Sequence, residues 1–234
     1  MVWGYERFHL VVIAGPTGVG KTDRAVELAR RFDAPVVVLD RVQCHPELAV
    51  GSGRYHGDES RPRTFLDERR VADGTLSASA AYRRLCHVLG ACRDSGDRTV
   101  VLEGGSTSLL AAMARDSAWR RDAEVAVEWL APGTGCRARL SRRVVNMLVG
   151  ERSMVDELRA VWPDHRTHAV LGDIVGYREI IAAMRAAGTL DFGWRAMNTL
   201  VRHVTEAHLA YAKEQCRHLL DLLPLLQDDH VPAR

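Results

Sequence analysis

Phe8-His9-Leu10-Val11-Val12-Ile13-Ala14-Gly15-Pro16-Thr17-Gly18-Val19-Gly20-Lys21-Thr22 decides the fold of this chain. Its first half is an apolar run of the kind that forms a buried parallel strand. Its second half fits G-x-x-x-x-G-K-[ST], a phosphate-binding loop. The residues after it repeat Ala25, Leu28, Ala29 and Phe32 at helical spacing. Strand, glycine-rich loop and helix is the context this motif requires. Glycines let backbone amides approach an anion, and the amides at the helix start point toward it. Lys21 adds a full positive charge, and Thr22 offers a hydroxyl to Mg²⁺. The plain alternative, a glycine-rich turn without a ligand, explains neither the lysine nor the threonine. The motif does not say whose phosphate it holds.

Working outward, Pro35–Leu39 reads as a second buried strand ending at Asp40. Residues 41–75 are polar and carry glycine and proline, a long loop region of the kind that carries function. A helix is expected over Ser77–Arg93 and a third strand over Thr99–Leu102, followed by Glu103-Gly104-Gly105-Ser106. Ser106 is placed to cap a helix over 107–115. Glu124–Leu130 is a fourth strand, stopped by Pro132-Gly133. Beyond it the periodicity is helical over 136–149, 153–161, 168–187 and 195–222. The pattern predicts an α/β fold: a P-loop doubly wound parallel sheet with a smaller helical C-terminal part. Residues 1–132 form the core, and residues 133–234 a mainly helical substrate-binding part packed on it. Ligands of such sheets gather beyond the carboxyl ends of the strands, which here deliver Gly15, Asp40 and Glu103 to one edge.

Composition removes several classes of function. The 234 residues are 47% hydrophobic, enough for a core, yet no run approaches the ~18 uncharged apolar residues of a membrane span. No signal-peptide pattern precedes the first strand, so a cytoplasmic protein is expected. Cys44, Cys86, Cys92, Cys136 and Cys216 are odd in number and form no C-x-x-C pair, against zinc and a disulfide framework. His165 and His168 share a helical spacing but lack a third ligand. A net charge of +2 is too mild to argue for nucleic acid. Of 32 basic residues only Lys21 and Lys213 are lysines, and Lys21 stands in the phosphate loop.

Several blocks in order resemble one family. Gly-Pro-Thr-Gly-x-Gly-Lys-Thr is followed by Asp40-Arg41-Val42-Gln43, Gly51-Ser52-Gly53-Arg54 and Arg63-Thr64-Phe65-Leu66-Asp67-Glu68-Arg69. Leu102-Glu103-Gly104-Gly105-Ser106, Gly176-Tyr177-Arg178 and Tyr211-Ala212-Lys213-Glu214-Gln215 complete the set. The set is similar to the isopentenyltransferases that alkylate the exocyclic amine of adenine, and most like the short bacterial adenylate dimethylallyltransferases. The resemblance implies dimethylallyl diphosphate as donor, AMP as acceptor and Mg²⁺ as cofactor; a monomer is expected by default, with neither nucleic acid nor membrane as partner. Asp40 matches the carboxylate that takes the amine proton, and Thr17 the threonine near the bridging oxygen of the donor. Gly15, Gly18, Gly20, Lys21 and Thr22 would hold the diphosphate, with Thr22 also on the metal. Arg143 and Arg178 are further diphosphate candidates. Arg143 lies in a run with Arg137, Arg139 and Arg142 that would otherwise be a solvated face, but Arg143-Val144-Val145-Asn146-Met147-Leu148 resembles the family's Arg-Val-x-x-Met-Leu. Asp40, Ser52, Gly104 and Ser106 would contact the adenylate.

Val175, Tyr177 and Tyr211 are expected around the prenyl tail, although the two tyrosines read equally as core aromatics. Plant-associated bacterial members carry an acidic residue where Val175 stands and a histidine where Tyr211 stands. Burying an unpaired hydroxyl there costs about 1–3 kcal/mol, so an unhydroxylated donor is expected. Two other readings share these motifs: a tRNA acceptor for the same chemistry, and a small P-loop nucleotide or metabolite kinase. A non-catalytic nucleotide-binding module also explains the loop, but leaves Asp40 and Thr17 without a task.

Overall fold

A computed structural model describes residues 7–54 and 63–227. The elements in order are β1 (Phe8–Ala14), α1 (Lys21–Phe32), β2 (Val36–Leu39), α2 (Ala49–Ser52), β3 (Arg63–Phe65), α3 (Ala78–Asp94), β4 (Thr99–Gly104), α4 (Thr107–Arg115) and β5 (Ala123–Trp129). The helices α5 (Cys136–Val149), α6 (Met154–Val161), α7 (His168–Asp173), α8 (Tyr177–Ala187) and α9 (Trp194–Leu226) follow. Among the described residues the five strands form one parallel sheet in the order β3-β2-β4-β1-β5.

Strand alternation sorts the side chains onto two faces. Leu10 and Val12 of β1, Val37 and Leu39 of β2, and Val100 and Leu102 of β4 pack against α3, α4 and the end of α9. Ile13, Val36 and Val101 point the other way, onto Ala25, Leu28 and Ala29 of α1. Both faces are covered, as the apolar runs require. A third cluster joins α5 to α9, but it also takes in Leu48 and Val71 from the loop region after β2. Helix α9 spans both parts: Leu200 and Val204 belong to this helical cluster, and Leu219 and Leu226 to the sheet core. Among the described residues no helix is long and apolar enough to cross a membrane.

Two expectations about elements are corrected. The helix expected over 168–187 is two helices, because Gly176 takes φ 98° between them and its amide donates to the Glu179 carboxylate at 2.6 Å. The apolar period runs on through the break, so periodicity alone does not reveal it. The region 41–75 is not all loop. Arg63–Phe65 pairs with β2 as an edge strand, and three residues led by an arginine give no strand pattern. Its residues 55–62 lie outside the described part, as do residues 1–6 and 228–234.

The register sets Ala14 and Leu39 on either side of Gly104. Gly15, Asp40 and Gly105 therefore leave the sheet side by side. A Cβ on Gly104 would lie 2.3 Å from the Leu39 carbonyl oxygen, which rigid backbone cannot relieve. Gly104→Ala is expected to lower stability by about 1–3 kcal/mol. Urea unfolding checks this, and a loss below about 0.5 kcal/mol contradicts the close approach.

Candidate active site

At that sheet edge lies a cavity of about 240 Å³. Thr17, Lys21 and Thr22 line it from the phosphate loop, and Asp40, Gln43 and Ser52 from the segment after β2. Glu103, Gly105 and Ser106 come from the end of β4, and Arg143, Val175, His208, Tyr211 and Gln215 from the helical part. The loop closes into α1 through Gly18 at φ 79° and Gly20 at φ 98°, backbone angles that favour glycine. Gly18 packs against Leu140 of α5. A second hollow, of about 830 Å³, is lined by Gly18 and Gly20 and shares Lys21, Thr22 and Arg143 with the first. Gly15 lies just behind the loop, against the Leu130 backbone.

Lys21 folds back over its loop, its Nζ donating to the Pro16 carbonyl at 2.8 Å. Burial pushes its pKa down to about 8, against the pull of Glu103 and Asp40 and with the push of Arg143. Arg143 is likewise shifted down, first by burial, while Asp40 and Glu103 oppose the shift. Glu103 is already engaged: Arg63 Nη1 donates to it at 3.0 Å, and Thr22 Oγ1 lies 3.3 Å from each carboxylate oxygen. Two half-buried cations therefore share this edge with carboxylates that are partly occupied elsewhere, and an anion would complete the balance.

Asp40 is held by its own chain. Its Oδ1 accepts from the Val42 amide at 2.8 Å and the Gln43 amide at 3.3 Å. Ser52 closes the short helix α2, and its buried hydroxyl has no partner. Glu157 of α6 fixes that helix by accepting from the Val50 amide at 2.7 Å and the Gly51 amide at 3.1 Å. Ser106 sits at the N-cap of α4, but its side chain makes no capping bond there. The cap expected from the sequence is therefore not made, and Ser106 lines the cavity.

Three sequence expectations are corrected. Tyr177 does not line the cavity. It is fully buried, its hydroxyl donates to Glu157, and its ring lies against Gly51, where a Cβ would have no room. Arg178 is exposed on α8 and pairs with the adjacent Glu179 at 2.9 Å, away from the phosphate loop. Gly104 is a packing residue of β4 against Leu39 of β2, and Gly105 takes its place on the cavity wall.

Sequence reasoning missed two residues of α9. Gln215 Oε1 accepts from the Thr17 amide at 2.8 Å, and its Nε2 donates to the Gly105 carbonyl at 2.8 Å. It ties the phosphate loop to the end of β4. His208 is buried with both ring nitrogens unpartnered. Burial, with the nearby Arg143 charge, pushes its pKa down to about 4 despite the pull of Glu179, so the ring is neutral at physiological pH. Val175, Tyr211 and His208 line the same cavity. The wall is therefore not wholly apolar, and the argument from Val175 and Tyr211 for an unhydroxylated donor does not carry over. The one available signal was spacing: His208, Tyr211, Ala212 and Gln215 form an i, i+3, i+4, i+7 stripe.

The residues around Thr22 suit Mg²⁺. A hydroxyl and a carboxylate, both hard oxygen donors, stand together beside an anion cradle. Among the described residues no cluster of three His, Cys, Asp or Glu is present to hold a metal by protein alone, so phosphate oxygens and water would supply the remaining ligands.

Comparison with known proteins gives one direction. The sequence profile described as isopentenyl transferase matches residues 8–227. An adenylate dimethylallyltransferase of Ralstonia solanacearum is 37% identical over 226 residues, covering 92% of this chain and 94% of that protein. One of Agrobacterium tumefaciens is 38% identical over 220 residues, covering 90% and 88%. Among solved structures, the tRNA isopentenylpyrophosphate transferase of Bacillus halodurans has the same fold, with a TM-score of 0.70 at 18% identity, covering 91% of this chain and 87% of that one. A eukaryotic dimethylallyltransferase acting on tRNA gives 0.68 at 14% identity, covering 94% and 73%.

Lys21 sets a pH dependence. Its lowered pKa leaves the amine charged below about pH 8 and neutral above it. A bound anion favours the charged form and raises that pKa, so binding above pH 8 takes up a proton and weakens as pH rises. Calorimetry of diphosphate binding at pH 8.5, in buffers of different ionisation enthalpy, should show greater proton uptake by the wild-type protein than by Lys21→Met. Equal uptake contradicts the assignment.

Proposed function

The chain belongs to the isopentenyl transferase family, and from that premise we propose that it transfers a dimethylallyl group from dimethylallyl diphosphate to the exocyclic amine of adenine in AMP, releasing diphosphate. The observation that carries this reading is that Asp40 and the anion-binding groups Thr17, Lys21 and Thr22 line one cavity. Relatives named for adenylate align over nearly the whole chain, whereas the likeness to tRNA enzymes is one of fold.

In this reading the donor diphosphate rests on the loop amides, with Lys21 and Arg143 against its oxygens. The amine nitrogen attacks the allylic carbon, and a C–N bond forms as the C–O bond to diphosphate breaks. The electron pair of that bond leaves on the diphosphate, where Lys21 and Arg143 meet the growing charge and Thr17 lies nearest the bridging oxygen. Such fixed charge at a buried site is the main electrostatic contribution. Thr22 would hold Mg²⁺, which would supply further charge neutralisation. Asp40 takes the proton that the alkylated amine gives up. The amine lone pair is delocalised into the ring, so a positioned base matters. Ser52 contacts the purine, and Gly105 with Ser106, at the start of α4, faces the AMP phosphate. Val175, Tyr211 and His208 surround the prenyl tail. The five cysteines are free thiols, which suits a cytoplasmic setting.

Purified protein incubated with dimethylallyl diphosphate, Mg²⁺ and either AMP or tRNA should yield AMP heavier by one five-carbon unit. Asp40→Asn should lower turnover by about 10²–10⁴-fold while leaving the unfolding midpoint within a degree or two of the parent's. Product on tRNA alone, or an Asp40→Asn variant of undiminished rate, overturns the reading.

A further inference from the structure

Gln43 stands beside the proposed base with half of its side chain unused. It lies in the tight turn Val42–Cys44 and is 9% exposed. Its amide nitrogen faces Asp40 Oδ2 at 3.4 Å, and Arg54 Nη1 donates to its backbone carbonyl at 2.6 Å. The side-chain oxygen, Oε1, is buried without a partner on the wall of the cavity. That orientation is dictated chemically. An ionised carboxylate only accepts hydrogen bonds, so the amide must turn its NH₂ toward Asp40 and its oxygen away. Two acceptors therefore stand next to each other, a carboxylate and an amide oxygen.

An amino group on an aromatic ring carries two in-plane N–H donors, and adjacent acceptors match that pattern. We propose that Gln43 is a specificity residue for the acceptor: Oε1 accepts one N–H of the exocyclic amine while Asp40 faces the other. The cavity then selects a 6-aminopurine and repels a 6-oxopurine, whose oxygen would meet two acceptors. This inference rests on the adenylate reading above. Gln43 is placed to orient the amine without itself exchanging a proton.

Binding separates this role from a structural one. The ligands are AMP and purine riboside 5′-monophosphate, which has hydrogen in place of the amine, titrated calorimetrically into the full chain. The wild-type protein should bind AMP more tightly than the deaminated nucleotide. Gln43→Met should narrow that gap about tenfold while binding purine riboside 5′-monophosphate within twofold of wild type. Gln43→Glu, protonated against Asp40, keeps the shape and the free oxygen and should hold the gap within threefold of wild type. An unchanged gap in Gln43→Met overturns the inference alone. So does equal weakening of both nucleotides, or a Gln43→Glu gap as narrow as that of Gln43→Met. A wild-type protein that binds neither nucleotide sinks the adenylate reading and this inference with it.

Discussion

Lys21 and Arg143 bring two positive charges to one buried edge of a parallel sheet, and the rest of the site is organised by that fact. Burial alone would drive both toward neutrality. Asp40 and Glu103 oppose that shift without cancelling it, and Glu103 also serves Arg63 and Thr22. The edge is thus short of negative charge until an anion arrives. A diphosphate ester supplies it, and it gains more as it leaves, when its own charge grows. Lys21 and Arg143 are in this way suited to the charge that grows on the departing group, which is what catalysis requires.

Rigid supports keep these groups in place. The strand register fixes the three exits from the sheet. Gln215 clamps the phosphate loop to Gly105, and Glu157, itself held by Tyr177, clamps the helix that carries Ser52. Both clamps come from the helical half of the chain. That half is therefore part of the site's framework, not an appendage, and its long helix α9 packs on the sheet core at one end and on the helical cluster at the other.

The sheet was legible in the sequence wherever a strand was an apolar run bounded by glycine or an acidic residue, as at Phe8–Ala14 and Val36–Leu39. The phosphate loop was legible because its chemistry is carried by consecutive residues. Arg63–Phe65 escaped because an edge strand of three residues needs no apolar pattern, and the break at Gly176 because the helical period continues across it. Tyr177 and Arg178 were adjacent candidates, yet one faces the core and the other solvent. The local sequence carries no sign of the Glu157 that holds Tyr177 inward, whereas the partner of Arg178, Glu179, is the next residue. His208 and Gln215 reach the cavity only through the path of α9, and Gln43 shows its free oxygen only once the direction of Asp40 is known.

Transfer requires the anion cradle and the carboxylate to serve a single reaction across a single cavity. A crystal structure with AMP and an unreactive thiolodiphosphate analogue of the donor tests that most directly. The diphosphate should lie on the loop between Lys21 and Arg143, with the adenine amine within hydrogen-bond reach of Asp40 and facing the allylic carbon. A diphosphate on the loop with the adenine lodged in a different hollow, its amine remote from Asp40, would contradict it.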